Sequence, residues 1–75
     1  MNKENIGRNA GIIWRLLSTE NKSWEYNELK GVTGLSDRDL NTAIGWLVCE
    51  DKIQFSNNGT GSKELLYVEL NFYIG

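Results

Sequence analysis

Lys52 marks a change of period. On its N-terminal side Leu40, Ala43, Ile44, Leu47 and Val48 recur at helical spacing and fall on one face. On its C-terminal side Ile53 and Phe55 alternate with Gln54 and Ser56, as in a half-buried strand. A helix therefore feeds directly into a strand, and both must share one core. Ser36 opens the helix: with Asp39 three residues later it matches the serine-x-x-acid form of a capping box. Acids in a first helical turn, here Asp37 and Asp39, are favoured by the helix dipole.

The remaining elements are read from the same two periods. Ile6, Ala10, Ile13, Trp14 and Leu17 form another helical stripe, which predicts a helix over residues 5–18 with a frayed polar start. Ser18 to Ser23 reads as a loop, and Ser23-Trp24-Glu25 as a very short strand. Tyr26 to Thr33 is a brief helix with Leu29 and Val32 on its inner side, stopped by Gly34. Two helices separated by Thr33-Gly34-Leu35 make a helix-turn-helix. Asn57 to Lys63 is a loop by composition, and Leu66, Val68 and Leu70 then alternate with Leu65, Tyr67 and Glu69 as a second strand. Asn71 to Gly75 extends that strand or crosses back over the first helix. The order predicts an α+β fold: a winged helix-turn-helix of three helices closed by a C-terminal β-hairpin wing, one domain over residues 1–75.

Composition narrows the chemistry. A domain of 75 residues buries only about 60% of the surface its unfolded chain exposes. With one cysteine it has no intrachain disulfide to help, so packing or self-association must supply stability. Histidine is absent, which removes the commonest general base and metal ligand. Gly59-x-Gly61 lacks the strand-to-helix setting of a phosphate cradle and reads as a turn. Glu50 and Asp51 read as a solvated helix end beside Lys52, and Cys49 as a small, partly covered residue opposite the buried stripe. No enzyme is expected, and no cofactor, metal or small-molecule ligand is evident. With no apolar run long enough for a membrane and no signal peptide, the expected setting is the cytoplasm.

Ile6 to Trp14, Trp24 with Leu29, and Ala43 to Ile53 together resemble the small bacterial winged helix-turn-helix family of unknown function found largely in Bacteroides-type bacteria. The segment from Gly45-Trp46-Leu47 to Glu50-Asp51-Lys52-Ile53 is the most specific part of that resemblance. It implies the fold, a bacterial cytoplasmic setting and a link to gene regulation. It implies no target and no residue-level role.

The candidate site follows from the fold. The second helix of a helix-turn-helix enters the major groove and presents its N-terminal residues to base edges. Its outward positions here are Arg38, Asn41, Thr42, Gly45 and Trp46. Arg38 suits guanine or a phosphate and Asn41 suits adenine; a solvated Arg38 paired with Asp37 or Asp39 is the competing reading. Thr42, Lys63 on the wing, and Lys22 and Lys30 around the second helix complete the expected contacts. Charge works against this reading. Asp37, Asp39, Glu50 and Asp51 outnumber Arg38 and Lys52 between Ser36 and Lys52, and the chain carries a net −2 with a pI near 5.0. Double-stranded DNA bears one charge per roughly 1.7 Å, so a monomer should bind it weakly and a homodimer better.

Three apolar residues are candidates for that dimer. Ile12 and Leu16 lie outside the first helix's stripe, and either the C-terminal segment covers them or a second copy does. Trp46 lies about 130° from the centre of its own helix's stripe. It packs sideways on the hairpin or the first helix, or serves as a partner contact beside Ile12 and Leu16. A protein-interaction winged helix that does not read DNA is the alternative function.

Overall fold

A computed structural model of the chain describes residues 2–20, 22–57 and 66–71. Its elements are α1 (Lys3–Glu20), β1 (Trp24–Glu25), α2 (Tyr26–Thr33), α3 (Asp37–Cys49), β2 (Ile53–Asn57) and β3 (Leu66–Leu70). Three helices and a three-stranded antiparallel sheet make an α+β fold with the helix and strand order of a winged helix. Strand order is β1-β3-β2, so the last strand sits in the middle. Val68 pairs with Trp24 on one side and with Phe55 on the other. The short strand at Trp24 thus turns the expected hairpin into a three-stranded sheet.

The core is one cluster. Ile13 and Leu17 of α1, Leu29 of α2, Leu40 of α3 and Val68 of β3 are its largest fully buried side chains. Ala10, Ala43, Ile44, Leu47, Ile53 and Trp24 complete it. Truncating Leu40 or Leu17 to alanine in such a site costs about 2–5 kcal/mol. Trp24 is buried, yet its indole N–H has no hydrogen-bond partner among the described residues.

Helix ends are set by particular side chains. α1 begins two residues earlier than its apolar pattern suggests because Asn2 caps it, Oδ1 accepting from the Asn5 amide at 2.8 Å. Glu25 caps α2 directly from the end of β1, its carboxylate accepting from the Asn27 and Glu28 amides. Gly34 ends α2 in left-handed backbone at φ 72°, donating its N–H to Lys30 O at 2.9 Å. At the far end of α3 Asp51 takes the same conformation at φ 58°. The Asp51 N–H reaches Val48 O and the Lys52 N–H reaches Leu47 O, each at 3.0 Å, the paired bonds of a Schellman motif. Asn71 then ties the sheet to this corner, its N–H donating to Lys52 O and its Nδ2 to Asp51 O.

Four apolar residues expected inside lie at the rim. Val32 is 56% exposed, because α2 faces the core through Tyr26, Leu29 and Thr33 and Val32 lies about 120° from Tyr26. Val48 is exposed about 90° from the centre of the Leu40, Ala43, Ile44 and Leu47 stripe. Trp14 is 44% exposed on a flank of α1. Phe55 is 45% exposed, one step nearer the hairpin tip than the buried Ile53. Lys52, expected beside Glu50 and Asp51, lies over the Trp14 ring with Nζ 5.6 Å from its centroid.

The two left-handed residues predict substitutions of opposite sign. A side chain at Gly34 is strained, so Gly34→Ala should lower unfolding free energy by about 1 kcal/mol. Asp51→Gly relieves that strain and removes an acid from the negative end of a helix, so it should raise stability by about 0.5–1.5 kcal/mol. Urea titration measures both; destabilisation by Asp51→Gly would show that Asp51 serves the fold by some other contact.

Candidate nucleic-acid interface

The turn between α2 and α3 is built from short-range bonds. Thr33 Oγ1 donates to Lys30 O and accepts from the Leu35 N–H, each at 3.3 Å. Leu35 packs against the core and anchors the turn. Ser36 Oγ accepts from the Asp39 N–H at 3.2 Å, which starts α3 as its spacing predicts. Arg38, Asn41 and Gly45 are exposed and Thr42 half-buried, on the turns of α3 away from the stripe. Thr42 Oγ1 donates to Arg38 O at 2.7 Å, so its hydroxyl proton is already used within the helix.

A polar cluster locks α3 to α2. Tyr26 Oη lies 3.0 Å from Asp37 Oδ1 and 2.8 Å from Asn41 Oδ1, and Lys30 Nζ lies 3.1 Å from Asp37 Oδ1. A phenol has one proton to give. Donation to the carboxylate is the stronger use of it. The Asn41 amide is then satisfied when turned so that Nδ2 donates to Tyr26 Oη, the two ends of an amide being interchangeable in shape. The Lys30 hydrogen bond, then that of Tyr26, holds the Asp37 carboxyl below its ordinary range. Burial, then the hydrogen bond to Asp37, pushes the Tyr26 hydroxyl above its ordinary range.

The cluster changes the standing of several expected contacts. Reading adenine takes both ends of an asparagine amide, so Asn41 must release Tyr26 to do it. Lys30 is spent on Asp37, and Lys22 is spent on Glu28 at 3.2 Å while lying 4.2 Å over the Trp24 ring. Asp37 is paired with Lys30 rather than with Arg38, and Arg38 has no ion pair among the described residues. Lys63 and the Gly59-x-Gly61 tip lie outside the described residues. Cys49, expected to be partly covered, is exposed.

The three candidate interface residues do not form one patch. Ile12 is exposed, whereas Leu16 packs partly against the core. Together they border a groove between α1 and α2 with Arg15, Thr19 and Val32. Trp46 instead faces a separate cavity between α1 and α3, with Gly7, Gly11 and Trp14. The two sets lie on flanks of α1 about 130° apart. Tyr26 is the residue that local sequence reading missed. Its partners are 11 and 15 positions away, and the available signal was only that Asp37 and Asn41, one turn apart, share a face of α3.

The cluster predicts an acid-side effect. A carboxyl held low in the folded state adds stability above its ordinary value of 3.8, and that stability is lost as pH falls through the folded value. Wild type should therefore exceed Asp37→Asn in stability near neutrality, with the gap closing below pH 3.8. Denaturant midpoints across that range measure it; a pH-independent gap would assign the effect of Asp37 to something other than its charge.

Comparison with known proteins adds one finding to this geometry. No curated protein and no solved structure matches the chain. A family model described as a winged helix-turn-helix domain (DUF2582) matches residues 1–70. That span includes every described helix and strand, and the chain belongs to this winged helix-turn-helix family.

Proposed function

We propose that the domain is a non-catalytic, gene-regulatory module of the bacterial cytoplasm that binds duplex DNA through α3 and the wing. The observation that carries this is the outward face of α3. Arg38 is exposed there without an ion pair among the described residues, and two turns on along the same face Gly45 leaves the helix bare. A Cβ at Gly45 would meet nothing within 4 Å, so internal packing does not require glycine there. Glycine in a helix interior costs roughly 1 kcal/mol relative to alanine. Close approach of a groove wall or backbone gives that cost a use. Arg38 is the base-reading residue in this proposal, Lys63 contacts the phosphates, and Thr42 does so only when its hydroxyl leaves Arg38 O. Asn41 joins only when its bond to Tyr26 opens. No helix among the described residues is long and apolar enough to cross a membrane, which is compatible with this setting.

A homodimer is part of the proposal, because one copy offers few uncommitted cations. The groove bordered by Ile12, Leu16 and Val32 is the face assigned to it. The second reading, a protein-interaction domain, draws support from the ion pairs that consume Lys22 and Lys30.

Fluorescence anisotropy with random duplex DNA at about 50 mM salt, where electrostatic binding is strong, tests the first reading. Arg38→Ala should weaken binding by roughly tenfold or more, the size of one good base contact. Lys63→Ala should weaken it across all sequences and reduce the salt slope by about one. Gly45→Ala should stabilise the fold by about 1 kcal/mol while weakening binding. Absence of binding at micromolar protein would remove the DNA reading and leave the protein-interaction one. Sedimentation of Ile12→Asp against wild type tests the dimer, since Ile12 is exposed and its substitution spares the core.

A further inference from the structure

The cavity between α1 and α3 borders the outward face of α3, with Trp46 one turn from Thr42, and has a volume of about 380 Å³. That is within the size range of small-ligand sites. Its walls are two half-exposed indoles, Trp14 at 44% and Trp46 at 38% exposure. Gly7 and Gly11 floor it, one turn apart within α1. A Cβ at either would meet nothing within 4 Å, so the fold keeps two helix-weakening glycines that its own packing does not demand. Their effect is to hold open the space beneath the rings.

Charge says what that space suits. Glu50 is at the rim and has no ion pair among the described residues. It caps the negative end of α3, whose last turn contains no basic residue, and Asp51 follows it. A helix C-terminus favours cations, so these two acids concentrate negative potential at that corner. The indole faces add their own negative quadrupoles. Lys52 already responds to this field, with its ammonium placed over the Trp14 ring at 5.6 Å. An ammonium on a four-carbon stem is thus a cation of the chain itself occupying part of the site.

We propose that this cavity binds an organic monocation, an alkylated ammonium, on the faces of Trp14 and Trp46. Glu50 supplies the counter-charge and Lys52 swings off Trp14 to admit the ligand. Ring faces with a nearby carboxylate are the elements by which quaternary ammonium groups are recognised. The cation belongs to a free small molecule or to a methylated lysine side chain, and the chemistry is the same for both. Lys52 is the built-in competitor: it satisfies the rings when no ligand is present and weakens binding in proportion.

Choline titration of the ¹⁵N-labelled protein, followed at the three indole N–H signals by NMR, tests the site. Trp14 and Trp46 signals should shift and saturate, while that of Trp24, buried in the core, stays in place and reports that the fold is intact. The neutral isostere 3,3-dimethylbutan-1-ol should bind at least roughly fivefold more weakly, because it lacks the charge. Lys52→Ala should tighten choline binding, and Glu50→Gln should weaken it, each by roughly three- to tenfold. A short peptide with one trimethyl-lysine is the second arm. Binding tighter than choline assigns the site to a protein tail, and equal or weaker binding assigns it to a small molecule; either supports the site. Equal titration by choline and its isostere would reduce the cavity to an apolar groove. Loss of choline binding in Lys52→Ala would contradict the role of Lys52 as a competing cation and overturn the proposal. Unmoved Trp14 and Trp46 signals at choline on the order of 100 mM would overturn the proposal outright.

Discussion

Residues in left-handed backbone flank α3, Gly34 where α2 ends before it and Asp51 just past its C-cap, and the rest of the domain is arranged around that helix. Gly34 reverses the chain so that α3 crosses α2, and Asp51 turns it again so that β2 departs toward the sheet. Between them Leu40, Ala43, Ile44 and Leu47 bind α3 to α1 and to the sheet. The two corners are chemically unequal. Glycine takes that conformation without strain, whereas aspartate does so at a cost that its paired backbone bonds and the Asn71 bridge offset. The position of every outward side chain on α3 is inherited from these two turns.

Much of this was legible in the chain, and the reasons are local. Ser36 with Asp39, the stripe from Leu40 to Leu47, and the change of period at Lys52 are each decided within one or two turns of backbone, and each appears where the spacing predicts. Gly34 as a terminator is local in the same way. Val32, Val48, Trp14 and Phe55 were misplaced because periodicity reports which side of an element is apolar. It does not report how far the neighbouring elements reach to cover that side. The partner of β1 and the Tyr26 cluster depend on residues 11 to 44 positions away, and no spacing rule within a single element encodes them.

The polar surface shows how a small acidic domain distributes few cations. Lys22 and Lys30 neutralise carboxylates around α2, and Lys52 covers an indole. Exposed ion pairs of this kind contribute little to stability. Their larger effect is on recognition: they withdraw charge from any approaching polyanion and leave Arg38 as the guanidinium offered on α3. An interface with few free charges depends on shape and on individual contacts more than on long-range attraction. The bare face at Gly45 belongs to that economy.

The sheet order has a consequence for how the domain comes into being. β3, the central strand, is made after all the other described elements, and Val68 on it has no exposed surface. A ribosome therefore releases α1, β1, α2, α3 and β2 before the strand that joins β1 to β2 exists. Trp24 waits 44 positions along the chain for its partner, Val68, and closing so long a loop is paid for in entropy before any contact is gained. The nascent helices must hold together through the part of the core that α1, α2 and α3 share, with β2 showing an unpaired edge of the kind that invites association between chains. Pairing of β3 then covers that edge of β2 and adds Val68 to the core.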